Sequence, residues 1–326
     1  MVLLTIYFLC ASVLIIASIL PLISNQYWIF RICEFGRIQI LALQIPLLIL
    51  GLAVYHQNPS FVLITEVLLL TFATQNIMLL APYIPYKKLF GNIKKHSTTN
   101  SIAIFSFNVY QYNKNYQKFI DLVNKVQPDI FLTMESNSDR ESALSVLDDQ
   151  YPFRKKIALE NTYGMHFYSK IKVDDCKVNY FMADDLPSIE ANLTMANKEK
   201  LTFFGTHPPP PSPTKEDTSK ERDGEIIMIG KKVKQYNTPV VVVGDFNNVA
   251  WSKSTRLFKK ISGLTDARIG RGFFSTYHAN YKLLRFPIDL LFHSNSISIK
   301  EFKTLKNIGS DHLPLYCQFS VDSISN

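Results

Sequence analysis

Charge is what the first part of this 326-residue sequence lacks. No Lys, Arg, Asp or Glu precedes Arg31, and residues 1–86 contain only Arg31, Glu34, Arg37 and Glu66. The remainder holds 33 basic and 25 acidic residues and carries the whole net charge of +8. Cysteine is also sparse: Cys10, Cys33, Cys176 and Cys317 form no CxxC and no Cys/His cluster with zinc spacing. That gives no support to a zinc module, and a Cys176–Cys317 disulfide would form only in an oxidising compartment. No repeat recurs at a 20–50 residue period, which excludes a solenoid. No Ser or Cys sits in a recognised nucleophile motif, which argues against covalent catalysis.

What fills the uncharged part is three apolar runs, at 2–23, 38–55 and 61–83. A helix crossing the hydrocarbon core needs about 20 such residues. The reading is a three-helix transmembrane region over 1–86, despite Gln39, Gln44 and Pro46 in the second run. A cleaved signal is disfavoured, because the first run lacks a basic n-region and two further runs follow. Glu66 falls about a turn into the third run and is expected at headgroup depth. Tyr27, Trp28, Tyr83 and Tyr86 suit the aromatic belt. Lys87, Lys88, Lys94 and Lys95 follow the third run, whereas HQNPS between the second and third has no Lys or Arg. Counted by the positive-inside rule, the C-terminal part lies in the cytoplasm.

Residues 87–100 read as a basic linker, and 101–326 as one α/β domain. Strands are predicted over 101–109, 129–134, 163–169, 173–182, 188–194, 200–206, 239–245, 286–293 and 313–320. Helices are predicted over 115–126, 139–149 and 222–236. HPPPP at 207–211 is excluded from regular structure, because successive prolines remove donors and fix φ. Strands alternating with helices imply layered sheets.

Polar residues recur at the ends of these apolar strands: Asn108, Glu135, His207, Asp245, Asn247, Asp289 and the run Ser310, Asp311, His312. Alone, each has an ordinary reading as a turn residue. Together they imply a common site. The pieces FNV, QPDIFLTMES, YGMHFYSK, GTHPPPP, VVVGDFNN, PIDLLF and GSDHLP, in this order, resemble the endonuclease/exonuclease/phosphatase superfamily of metal-dependent phosphoesterases.

The resemblance implies a four-layer α/β sandwich and a hydrolase whose site lies at one mouth of it. It implies Glu135 as the principal Mg²⁺ ligand (Mn²⁺ being the other candidate), helped by Asn108 and Asp311. Asp245 would orient or deprotonate the attacking water, Asn247 would hydrogen-bond a phosphoryl oxygen, and His312 paired with Asp289 would contact the phosphate. His207 matches a phosphatase-type histidine, and Tyr163 falls near a position where some nuclease members place a tyrosine. Arg222, at the start of the helix after the proline loop, is a candidate phosphate clamp. His166 and His278 are read as surface or packing residues.

Three spans before such a domain, with WIFRICEFGRIQ (28–39), resemble the VanJ-type membrane proteins. That likeness implies an undecaprenyl-pyrophosphate-like lipid substrate, a bacterial inner membrane and a domain outside the cytoplasm. It opposes the local charge count, and tips the expectation to the outside. A membrane-tethered nuclease is the alternative, since basic charge serves nucleic acid and anionic lipid equally. The expected partners are the bilayer and the phosphorylated substrate, with no protein partner predicted.

Overall fold

The computed structural model describes residues 1–87, 101–212 and 215–321, so the predicted linker lies almost wholly outside the described residues. The chain divides into two compact units: Met1–Ile84 with Pro211–Ser219, and the rest.

The first unit contains α1 (Val2–Ile19), α2 (Trp28–Phe35), α3 (Arg37–Val54) and α4 (Pro59–Leu80). Three stretches, Val2–Leu22, Arg37–Gln57 and Pro59–Tyr83, are helices long and apolar enough to cross a membrane. Pro46 lies inside α3, which continues through it. The short helix α2 was not foreseen. Between these helices the few polar side chains bond to one another. Arg37 donates to Asn76 Oδ1 (2.7 Å), Asn76 Nδ2 to Gln44 Oε1 (3.1 Å) and Gln44 Nε2 to Ser18 Oγ (3.2 Å). Such bonds join helices where apolar contact cannot distinguish a partner from lipid, at about 0.6 kcal/mol each. Arg31 is buried, with its guanidinium on the Ile23 and Asn25 carbonyls (3.2 and 2.6 Å).

Glu66 accepts from the Tyr7 hydroxyl at 2.7 Å across the bundle. Gly51 on α3 leaves the space: a Cβ there would lie 1.8 Å from Glu66 Oε1. The unit also includes the segment after the proline run. Trp28 N donates to Asp217 O (2.9 Å) and Ser219 N to Gln26 O (2.7 Å).

The second unit holds two six-stranded sheets. One has the order β11 (Ile297–Thr304), β12 (Leu315–Val321), β1 (Ser101–Asn108), β2 (Ile130–Met134), β4 (Met165–Ser169), β3 (Phe153–Ile157). The other runs β5 (Lys172–Asn179), β6 (Ser188–Thr194), β7 (Lys200–Thr206), β8 (Val240–Asp245), β10 (Asp289–His293), β9 (Thr265–Asp266). Each has one parallel pair at its centre, β1/β2 and β7/β8, and the other pairings are antiparallel.

Side-chain alternation divides these strands between two faces. Ile102, Ile104, Ile130 and Leu132 of the first sheet share a core with Ile189, Leu201, Phe203, Val241 and Leu291 of the second. The opposite face of the first sheet, with Phe105, Phe107 and Phe131, takes Phe119, Ile120 and Val123 of α5 (Tyr116–Val126). That of the second, with Phe204, Val242 and Phe292, takes Ile226 and Ile229 of α7 (Lys220–Val233) and Phe258 of α8 (Lys253–Ser262). Buried on both sides, the central strands are continuous apolar runs. This is the expected four-layer sandwich. The predicted helix at 139–149 is instead a short α6 (Ser138–Ala143) followed by a 3₁₀ turn to Leu147. The strands β3, β9 and β11 and helix α8 were not foreseen.

Candidate active site

The parallel pairs decide where the polar residues gather. Asn108 ends β1 and Glu135 follows β2, with Asn108 in register with Met134. His207 follows β7 and Asp245 ends β8. Asp289 opens the antiparallel β10 directly opposite Asp245. The Ser310–His312 turn precedes β12, where Ser310 Oγ donates to Asn108 O (2.8 Å) and accepts from His312 N (3.0 Å). Gly244 has a φ of +154°, and a Cβ there would lie 1.9 Å from Thr206 O. Only glycine brings β8 that close to the end of β7, just before His207.

The side chains form one bonded chain. Asn108 Nδ2 donates to Glu135 Oε1 and to Asp245 Oδ2, both at 3.0 Å. Asp245 Oδ2 lies 3.5 Å from His312 Nε2 and 3.7 Å from His207 Nε2. His312 Nδ1 is 2.8 Å from Asp289 Oδ2. Asn247 N donates to Asp245 Oδ1 (2.8 Å), and Asn247 Nδ2 to Pro208 O (2.9 Å). Glu135 (φ +60°) and Asn247 (φ +47°) both hold left-handed backbone. Such conformations cost energy and cluster at functional sites.

Asp245, Asp289, His207 and His312 are all buried. Burial opposes a charge on His312, but Asp289 and Asp245 beside it outweigh burial and raise its pKa to about 10. The ring is therefore an imidazolium at neutral pH, held between two carboxylates. Burial pushes Asp245 up, and His312 pulls it back.

Arg222 and Asn108 have protein partners that the sequence did not show. Arg222 is buried; its Nη1 donates to the Asn247 carbonyl (3.0 Å), and its Nε and Nη2 to Asp223 (3.0 and 2.9 Å). It braces the Asn247 turn, because a guanidinium out of water takes the acceptors its own helix and that turn supply. Asn108 has its amide nitrogen on Glu135 and its oxygen on Tyr110 N (3.1 Å), so it orients the carboxylate. Tyr163 stands with its ring 5.8 Å from that of His207, in the turn before β4. Asp311 is half-buried, its carboxylate 3.3 Å from Ser310 Oγ.

Two neighbours were not foreseen. Gln111 N donates to Glu135 Oε2 (3.0 Å). The Tyr277 ring lies 4.9 Å from that of His312. Burial raises the Tyr277 pKa, and Asp311, Asp245 and Glu135 raise it further, so one hydroxyl senses three carboxylates.

Asp245, Asp289 and His312 bring ligand atoms within 4.8 Å of one another. A doubly protonated, positive ring has no lone pair for a metal and repels one, so that cluster suits the phosphate side of the chemistry. Glu135 fits a hard divalent cation better. It is half-buried, and each oxygen accepts one N–H and keeps lone pairs, which is the donor chemistry Mg²⁺ uses beside its waters.

Two packed sheets with such a cluster at one mouth define the phosphoesterase class of α/β sandwiches. Residues 105–312 match the Endonuclease/Exonuclease/phosphatase family, and the chain belongs to it. Members of that family are hydrolases, typically metal-dependent. No curated protein matches the chain in sequence. Among solved structures, TDP2 of D. rerio complexed with a single-strand DNA product is 16% identical at a TM-score of 0.57, covering 68% of this chain and 99% of that one. The human Nocturnin catalytic domain with bound sulfate is also 16% identical, at a TM-score of 0.56, covering 68% and 94%. A Bacteroides vulgatus endonuclease/exonuclease/phosphatase is 17% identical at a TM-score of 0.56, covering 69% and 100%. At these identities the likeness is one of fold.

Proposed function

We propose that the protein is a membrane-anchored, Mg²⁺-dependent phosphoesterase that hydrolyses a phosphate or pyrophosphate ester of a lipid-linked substrate, of the undecaprenyl-pyrophosphate kind. The observation that carries this reading is the buried Asp289–His312–Asp245 chain beside Glu135, in a polypeptide that also holds three helices able to span a bilayer. A substrate confined to a membrane rewards an enzyme confined to the same one.

The residues divide the work by charge. Asp245, raised by burial, takes the proton of the attacking water. The His312 imidazolium, kept charged by Asp289, and the Asn247 amide face the phosphoryl oxygens as negative charge builds. His207 lies against the same Asp245 oxygen and adds a second donor on that side. Glu135, oriented by Asn108 and Gln111, holds the divalent cation, Mg²⁺ or Mn²⁺, with Asp311. Bound there, the cation supplies Lewis-acid neutralisation of phosphate charge. The order of three spans and then this domain resembles the VanJ-type proteins, which favours a bacterial inner membrane and an extracytoplasmic domain.

A nucleic-acid substrate is the second reading. The basic balance of residues 87–326 and the DNA product bound by D. rerio TDP2 favour it. The test offers detergent-purified full-length protein a polyprenyl pyrophosphate and duplex or abasic DNA in parallel, with Asp245→Asn/His312→Ala as the inactive control. Mg²⁺-dependent phosphate release from the lipid alone supports the proposal; cleavage of DNA alone overturns it. A reporter fused at Asn326 that is active only in the cytoplasm would overturn the external placement.

A further inference from the structure

Beside the mouth, between β9 and β10, residues 276–286 form a loop closed by an isolated bridge between Tyr277 and Phe286. The two ends pair: Thr276 N and Tyr277 N both donate to Phe286 O, at 3.0 and 3.1 Å. Arg285 braces the inside, with Nε on His278 O (3.3 Å) and Nη2 on Ala279 O. Ala279 N donates to Asp311 O at 2.6 Å, and the Tyr277 ring lies tilted 4.9 Å from that of His312. The base of this loop is thus built onto the Asp311–His312 turn.

The tip has the opposite character. Tyr281, Lys282, Leu283 and Leu284 are four consecutive exposed residues, closed by a 3₁₀ turn over Lys282–Leu284. Leu283 is 86% exposed, the most of any large apolar residue described between 101 and 321; Tyr281 is 61% and Leu284 59% exposed. Exposed tips of braced loops are ordinarily polar, and a cluster of large apolar residues in water marks a surface that meets something. The chemistry of that something is written in the loop. Two leucines and a tyrosine surround the exposed Lys282, the composition of an element that sits in the headgroup zone of an anionic bilayer. The same chain carries three helices able to span one.

We infer that the Tyr281–Leu284 loop enters the interfacial zone of a lipid bilayer and holds the site's mouth at the headgroup plane. The inference deepens the proposed lipid reading and rests on it only for its consequence in turnover. Leucine side chains would lie among the acyl chains, with Lys282 at the phosphates. Because Asp311 and His312 share the loop's base, the phosphoester nearest the mouth would be one carried at that surface.

The test uses full-length protein reconstituted in phosphatidylglycerol vesicles. Leu283→Trp is made with Trp28→Phe, leaving the buried Trp251 as the internal reference. Lipids brominated near the headgroup end of their chains should abolish most of the added emission and leave that of Trp251 in the Trp28→Phe parent unchanged. Added emission at the wavelength of water-exposed tryptophan, and no more quenched than the parent's, overturns the inference. A second arm uses Leu283→Ser/Leu284→Ser, whose exposed positions spare the core. Turnover of a lipid phosphoester in vesicles should fall about tenfold, while turnover of soluble bis(p-nitrophenyl) phosphate stays level. An equal fall on both substrates means the tip only supports the fold, and overturns the inference. Quenching by lipid without any lipid turnover by the parent supports the loop's contact and sinks the substrate reading instead. Emission that responds to duplex DNA and not to lipid makes the tip a nucleic-acid wedge, and overturns it.

Discussion

Replacing Asp289 by Asn tests the electrostatic centre of the site while leaving its shape. The amide fills the same volume 2.8 Å from His312 Nδ1 but carries no charge. In the native protein the His312 pKa rises from 6.5 to about 10 although burial opposes it, and Asp289 is the largest of the influences that raise it. At 1.36 kcal/mol per pH unit the net rise is on the order of 5 kcal/mol. Without the carboxylate the largest influence that opposes burial is gone, and the ring's pKa falls. A site that loses one preorganised charge facing a developing anion slows by about 10²–10³ in kcat, and KM should change far less. The assay is Mg²⁺-dependent phosphate release from pH 6 to 10. Stability gives an independent reading. His312 is raised above its unfolded value, so its contribution is complete below about pH 6.5 and fades as pH rises towards 10. The melting gap between native protein and variant should therefore be wide at pH 6 and narrow at pH 9.5. A variant within threefold of native kcat at pH 7, or a gap independent of pH, would refute the reasoning.

Three further outcomes follow from other contacts. Arg222→Met should lower kcat about tenfold with KM nearly constant, because it leaves the Asn247 carbonyl without its 3.0 Å donor at about 1–3 kcal/mol; kinetics on a soluble phosphodiester read it, and an unchanged kcat would mean the turn holds itself. Glu225 is buried, bonded to Ser188 Oγ at 2.7 Å, and burial raises its pKa to about 7. Its carboxyl thus keeps a proton in the folded state that the unfolded chain releases, a loss that sets in above about pH 4.5 and is complete above about pH 7. Glu225→Gln should stabilise by on the order of 3 kcal/mol at pH 8 and by nothing at pH 4, measured as detergent melting curves at the two pH values. In the first unit, Gly51→Leu should break the Tyr7–Glu66 bond by intruding on Glu66 Oε1. Its overpacking cost of about 1–3 kcal/mol should exceed that of Gly51→Ala, and equal melting of the two would contradict the placement of Glu66.

How much of this was legible in the sequence depends on which interactions leave a linear trace. The central strands did, because burial on both faces writes them as unbroken apolar runs ended by Asn108, Asp245 or Asp289. The edge strand FRKKI (153–157) did not: three basic residues on a sheet edge discourage pairing with other chains, but erase the strand pattern. Helix α8, KSTRLFKKIS, reads as a charge run, and its ends are set by the Ser252 cap, which accepts from Thr255 N, and by Gly263 at φ +72°. Gathering at one mouth was traceable for residues at strand ends and not for Gln111 or Tyr277, whose positions come from contacts across the fold. Arg222 shows the converse, a correctly noticed residue whose burial no charge pattern reveals. His166, read as surface or packing, is wholly buried; burial pushes its pKa down to about 3, so it is a neutral core residue. The Tyr7–Glu66 bond left no trace, because sequence distance from a helix start says nothing of the gap that Gly51 leaves on the neighbouring helix.

The most direct measurement asks whether enzyme and substrate must share a bilayer. Full-length protein is reconstituted into vesicles that either contain a polyprenyl pyrophosphate or meet it in separate vesicles, with duplex DNA added to a third set. The account predicts Mg²⁺-dependent phosphate release when protein and lipid share a membrane, little when they do not, and intact DNA. Equal release from both vesicle arrangements, or cleavage of the DNA in preference to the lipid, would contradict it.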